Sequence, residues 1–205
     1  MFVVIEGIEG SGKSTLVTAL AEHLKAGGHA VAVTREPGGT PVGDAIREIF
    51  LRESISITAL TESYLVNAAR AQHVADVVRP MLEQGRIVLC DRFTDSTLAY
   101  QGYGRGLDVG ELRTLCATAA DGIEPDLVLL LDLPVSVARA RLRERAAEDR
   151  IESEDDAFHE RVRRGFLELA EESLRHVILD ATTPPQAVLK AALDGLSARL
   201  GLRVP

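Results

Sequence analysis

The first two dozen residues admit few folds. FVVIEG is an apolar run that ends in a carboxylate and a glycine, and EGSGKST then packs glycines, a lysine and hydroxyls together. Leu16, Leu20 and Leu24 follow at a spacing of four, and Gly27-Gly28 closes the pattern. A buried strand, a tight glycine loop and an amphipathic helix satisfy this order of residues.

The same alternation continues. Residues 30–34, 86–90, 126–131 and 176–179 read as further short strands, and DLVLLL is apolar enough to be buried on both faces. Helical patterns occupy 42–51, 60–82 (bent near Pro80), 95–101, 109–120, 135–145 and 157–173. Thr183 and Pro184 read as the cap and first turn of a last helix ending near residue 200. Strands alternating with helices predict an α/β fold: a five-stranded parallel sheet with helices on both faces, in three layers. No internal repeat, long linker or low-complexity segment divides the 205 residues, so one domain over 1–205 is expected.

The net charge of −8 disfavours a nucleic-acid partner, because binding to that backbone draws on basic surface. It also requires that any anionic substrate be met by locally clustered arginines. No apolar stretch approaches the ~20 residues of a membrane span. The apolar residues 1–5 have no basic region before them and soon reach Glu6, which argues against a signal peptide. Cys90 and Cys116 both lie within apolar patterns and read as free thiols of a reducing compartment, so a cytoplasmic location is expected. The five histidines show no metal-site spacing.

Gly7-Ile8-Glu9-Gly10-Ser11-Gly12-Lys13-Ser14 fits G-x-x-x-x-G-K-[ST] at every fixed position, and Thr15 follows in the first helical turn. In such a P-loop, glycines allow sharp turns that bring successive N–H groups onto a phosphate at the helix N-terminus. Lys13 would bridge the β- and γ-phosphates, and Ser14 would hold Mg²⁺. ATP and Mg²⁺ are therefore the expected donor and metal. The chain carries neither the N-K-x-D of guanine readers nor the L-S-G-G-Q of transporter ATPases, which leaves small-molecule kinases and ligases.

Four further features fall at or after strand ends: TREPGGT (34–40), Asp91-Arg92-Phe93, STLAYQG (96–102) and the arginine-rich stretch 139–150. In open α/β sheets these would share one crevice. Strand-end Asp132 reads instead as a helix cap.

GIEGSGKST, TREPGG, NAAR, DRF, STLAYQGYGRG and DRIE occur in the order and spacing of the bacterial thymidylate kinase family, which the chain resembles over essentially its whole length. That resemblance implies phosphorylation of dTMP by ATP·Mg²⁺. It places Arg70 and Arg92 on the acceptor phosphate, where paired guanidiniums offset the repulsion between two anions. By the same resemblance, Asp91 lies near the metal, and Thr97 and Gln101 on the thymine edge. Tyr100 lies beside the sugar, Glu9 on the 3′-hydroxyl, Glu36 and Pro37 in a loop over the acceptor, Arg47 above the base, and Ala181 and Thr182 beside the adenine. Homodimers packed through helices are also implied, with 60–82 as a possible face.

In this family a catalytic arginine comes either from the P-loop or from a lid. Ile8, Glu9, Gly10 and Ser11 are not basic, so the resemblance points to a lid at about 143–155, with Arg145 first and Arg143 and Arg150 as alternatives. One departure stands out. Val66 occupies the position of a phenylalanine that stacks on thymine, leaving Tyr64 or Phe50 to compensate. The rival readings are a kinase of another nucleoside monophosphate or of a deoxynucleoside, and a P-loop protein that binds nucleotide without turnover.

Overall fold

The computed structural model describes residues 1–143 and 149–202. Among these, five strands form one parallel sheet: β1 (Phe2–Glu6), β2 (Val31–Arg35), β3 (Ile87–Asp91), β4 (Leu127–Asp132) and β5 (His176–Asp180). Their order is β2-β3-β1-β4-β5. β1 is central, with Val4 in register with Cys90 on one side and Val128 on the other, and it is buried throughout. A strand covered on both faces has no solvent side to alternate with, hence the unbroken apolar run. Each strand end falls within one residue of its sequence expectation.

The helices are α1 (Lys13–Ala26), α2 (Pro41–Leu51), α3 (Ala59–His73), α4 (Arg79–Glu83), α5 (Thr94–Thr97), α6 (Val109–Ala120), α7 (Val135–Leu142), α8 (Asp156–Glu171) and α9 (Pro185–Leu200). The two-residue period of β1 divides the core. Val3 and Ile5 join Leu16, Leu20, Phe166 and Leu196 in the larger apolar cluster. Phe2 and Val4 join Val74, Val78, Val88 and Phe93 in the smaller one.

Four expectations need correction. The helix over 60–82 is not simply bent at Pro80: α3 passes through a π-helical turn, Val74–Val78, into α4. Pro80 has no N–H to give the carbonyl of Asp76 and its ring collides there, and the widened turn just before it accommodates both. The helix over 95–101 is α-helical only in α5 and continues as a π-helical segment, Leu98–Gly104, beyond its expected end. Close packing carries it past the glycines: a Cβ on Gly104 would lie 2.7 Å from the Phe158 ring, and one on Gly165 2.6 Å from Tyr103. Finally, the Thr183 hydroxyl donates to the Asp180 carbonyl at 2.7 Å, and Pro184 takes the N-cap of α9 without a side-chain bond. Asp132 likewise caps nothing: it receives Arg163 at 2.7 and 2.9 Å.

Candidate active site

The glycine loop joins β1 to α1, where the mechanism of such a loop requires it. Gly10 has φ +75°, and a Cβ there would press within 2.5 Å of the Ala138 carbonyl oxygen. Gly12, at φ +95°, is the N-cap of α1 and offers no side-chain bond, so the first-turn N–H groups keep their capacity for an anion. Ile8 anchors the loop in the core. The buried Ser11 hydroxyl has no hydrogen-bond partner among the described residues. Lys13 is buried, and its Nζ donates to the carbonyls of Gly7 and Ile8 at 3.0 and 2.9 Å. Burial, and then the Arg92 charge, bring its pKa down to about 8.

Ser14 Oγ donates to Asp91 Oδ2 at 3.2 Å, and Asp91 Oδ1 is buried without a partner among the described residues. A hydroxyl and a carboxylate with coordination capacity left over form a hard-oxygen set that suits Mg²⁺.

Beyond the loop, at the carboxyl ends of the central strands, lies a cavity of about 260 Å³. Glu9, Gly10, Gly12, Lys13, Ser14 and Thr15 line it from the loop side. Glu36, Pro37, Arg47, Val66, Arg70, Asp91, Arg92, Thr97, Tyr100 and Gln101 are among the residues that line the rest. The greater part of the glycine loop thus shares one space with the acceptor-side residues read from the sequence, whereas Gly7, Ile8, Ser11, Ala181 and Thr182 do not line it.

Arg92 stands between them. It is a non-glycine residue at φ +73°, and from there Nη1 reaches the Gly7 carbonyl at 3.0 Å and Ser96 Oγ at 3.1 Å. Its Nη2 reaches Glu9 Oε1 at 2.7 Å and the Tyr100 oxygen at 3.1 Å. Tyr100 in turn donates to Glu9 Oε2 at 2.6 Å. Burial pushes the Glu9 carboxyl up, but Arg92, Lys13 and the Tyr100 hydrogen bond outweigh it and hold Glu9 below the ordinary carboxylate range.

Behind this group, Glu6 ends β1 as a buried carboxylate that accepts from the N–H groups of Phe93 (2.8 Å) and Ser96 (3.2 Å) and from Ser96 Oγ (2.6 Å). It fixes the backbone on which Arg92 sits. Sequence reasoning gave Glu6 no role. The signal was available as a charge closing a fully buried strand.

Both arginines expected on the acceptor phosphate line the cavity. The donors of Arg70 are spent on Glu36 (2.8 Å), Asn67 (2.8 Å), Cys116 Sγ (3.4 Å), the Phe93 carbonyl (2.8 Å) and Thr97 (3.1 Å). Arg92 is nearly as fully engaged, with Gly7, Ser96, Glu9 and Tyr100 on its two terminal nitrogens, so either guanidinium would exchange partners to take a phosphate. Glu36, before a cis bond to Pro37, bridges Arg70 and His73. Arg47 donates to the Pro37 carbonyl at 3.1 Å.

At the far end, Thr97 and Gln101 both reach the cavity. Of the two aromatics that might replace a ring at Val66, Phe50 lines it, whereas Tyr64 is 57% exposed and does not.

The lid arginines divide. Arg145 lies outside the described residues, as does the rest of 144–148. Arg143 is exposed at the end of α7. Arg150 does not line the cavity: its Nε donates to the Phe50 carbonyl at 2.9 Å and its Nη1 to Glu62 at 2.5 Å. In this structure it ties its segment to α2 and α3. Arg141, missed in the sequence, ties the Ala181 carbonyl (2.9 Å) to that of Gly10 (3.4 Å), so the 181–182 segment and the glycine loop share one guanidinium. Thr182 is exposed and bonds Asp180.

A doubly wound parallel sheet with an uncapped glycine loop opening onto a second half-site defines a P-loop protein of the kinase type. The thymidylate kinase family model matches residues 5–192. A thymidylate kinase of Desulfovibrio desulfuricans is 50% identical over 99% of this chain and 98% of its own length. One of Deinococcus radiodurans is 50% identical over 90% of each chain. The crystal structure of thymidylate kinase from Ehrlichia chaffeensis superposes with a TM-score of 0.77 at 33% identity, covering 96% of this chain and 98% of that one. The chain belongs to the thymidylate kinase family.

Proposed function

We propose that the protein transfers the γ-phosphoryl group of ATP to the 5′-phosphate of dTMP, giving ADP and dTDP. Family membership supports the reaction, and one observation carries it: a single cavity joins the glycine loop to the acceptor-side residues, with Arg92 touching both. Ser14 and Asp91 would hold Mg²⁺, which when bound spreads phosphate charge. Lys13 leaves the loop carbonyls for the β- and γ-phosphates, and Arg92 orients the acceptor phosphate. Glu9 and Tyr100 hold the sugar end, while Thr97 and Gln101 meet the base beneath Arg47, with Phe50 and Val66 as apolar walls. An oxygen of the acceptor phosphate attacks the γ-phosphorus in line as the bond to the β-bridging oxygen breaks. That oxygen is already anionic, so no side chain need remove a proton. Arg145, or Arg143 or Arg150, would meet the charge of the transferring group.

Two buried free cysteines support a reducing, cytoplasmic setting. Leu60 and Tyr64 of α3, with Val42 and Ile49 of α2, leave apolar side chains in solvent and support a homodimer through these helices. Coupled ADP release with ATP and Mg²⁺ tests the reaction, run without acceptor and with dTMP, dUMP, dCMP, dGMP and dAMP. Turnover with dTMP, with dUMP a distant second, is expected. Stronger turnover with another base would reassign the acceptor, and ADP release independent of any acceptor would remove the kinase.

A further inference from the structure

Away from the phosphate end, Glu62 of α3 is paired with two arginines and an amide. It is 1% exposed and contributes nothing to the cavity wall. Its Oε2 accepts from Gln101 Nε2 at 3.0 Å and from Arg105 Nε at 3.2 Å. Its Oε1 faces Arg150 Nη1 at 2.5 Å and Arg105 Nη2 at 3.0 Å. A carboxylate paired with two guanidiniums can only accept hydrogen bonds. The Gln101 amide must therefore turn its NH₂ toward Glu62, because the reverse orientation would set a carbonyl oxygen against a carboxylate oxygen. Gln101 also lines the cavity, so the carbonyl oxygen is the group it keeps for a ligand.

We propose that Glu62 is the positioning residue that fixes the polarity of Gln101, and through it selects a base bearing an N–H donor at the edge Gln101 meets. The proposal rests on the reading of the cavity as a dTMP site. Thymine presents N3–H to such an acceptor. Cytosine presents a bare N3, which would leave two acceptors facing each other out of water. Nothing local in the sequence shows this. Glu62 and Gln101 are 39 residues apart, and Glu62 and Arg150 are 88 apart.

The test compares kcat/KM for dTMP, dCMP and N3-methyl-dTMP in the wild type, Glu62→Gln and Glu62→Asp. Ratios between two substrates on one preparation are independent of the fraction folded, so a destabilised variant still reports. In Glu62→Gln the facing side chain can donate or accept, and the Gln101 amide is free to turn. The dTMP:dCMP preference is then expected to fall about 10- to 100-fold, while N3-methyl-dTMP, which offers no complementary group to either orientation, stays rejected. Glu62→Asp keeps an acceptor-only group and is expected to keep the preference at reduced kcat/KM. An unchanged dTMP:dCMP ratio in Glu62→Gln would make Glu62 a structural clamp on Arg105 and Arg150 and nothing more. Equal gains for dCMP and N3-methyl-dTMP would mean a loosened pocket and overturn the polarity assignment, as would an equal loss of preference in Glu62→Asp. A wild type that ignores dTMP would fail earlier, at the function itself, and take this proposal with it.

Discussion

Arg92 combines three conditions rarely met by one side chain: a left-handed backbone, burial, and hydrogen bonds to both halves of the cavity. A lysine supplies the charge but not the forked donors that hold Gly7, Glu9 and a phosphate together. Arg92→Lys should lower kcat/KM for dTMP on the order of 10²- to 10³-fold, and a loss below tenfold in steady-state assays would remove Arg92 from the acceptor phosphate. Glu6, which supports it, makes a pH prediction. Burial, then Asp95, raise its folded pKa from 4.5 to about 7. Between those values the unfolded chain releases the proton and the folded one keeps it, so this group's contribution to stability falls as pH rises from 4.5 to 7, by roughly 3 kcal/mol, and is level outside that window. Glu6→Gln does not titrate. Denaturant titrations at pH 4.5, 6 and 8 should show the variant gaining on the wild type across the window, and parallel profiles would refute the assignment. Lys13, Ser14 and Asp91 were legible in the sequence because a motif or a strand end places each of them. The partners of Arg70 and Arg150 were not, because which carboxylate a guanidinium meets depends on the fold, and Glu36 and Glu62 lie 34 and 88 residues away.

Among the elements, the strands were legible almost to the residue because burial on both faces writes itself as apolar runs. The π-helical segment Leu98–Gly104 was not, since its cause lies in α8. Gly165 lets the Tyr103 ring lie against the helix, and Gly104 does the same for Phe158. Tyr100 and Gln101 take their places in the cavity from this packing. Gly165→Ala is expected to cost about 1–3 kcal/mol of stability and to raise KM for dTMP more than it lowers kcat. Thermal unfolding followed by circular dichroism, alongside steady-state kinetics, checks both. Stability lost with KM unchanged would show that the packing does not position these two side chains.

At the scale of the whole chain, a net charge of −8 repels the anionic nucleotides it is proposed to use, and the cavity sets four guanidiniums and Lys13 against that field. Screening shortens the reach of the repulsion to about 10 Å at 0.1 M salt. Raising ionic strength from about 10 to 100 mM should therefore increase kcat/KM for dTMP severalfold. A steep decrease would mean that attraction near the cavity outweighs the overall field. Within the cavity the charges are balanced: Lys13, Arg35, Arg47, Arg70 and Arg92 share the wall with Glu9, Glu36, Asp91, Asp149 and Glu152. Much of that cationic charge is already engaged with the protein's own oxygens, so a ligand need not carry a phosphate to enter without leaving bare cations behind it. For inhibitor chemistry, the wall formed by Phe50 and Val66 is then the better handle: a neutral, flat heterocycle shaped to the valine side could hold this site while dispensing with the charge that keeps nucleotide mimics outside cells.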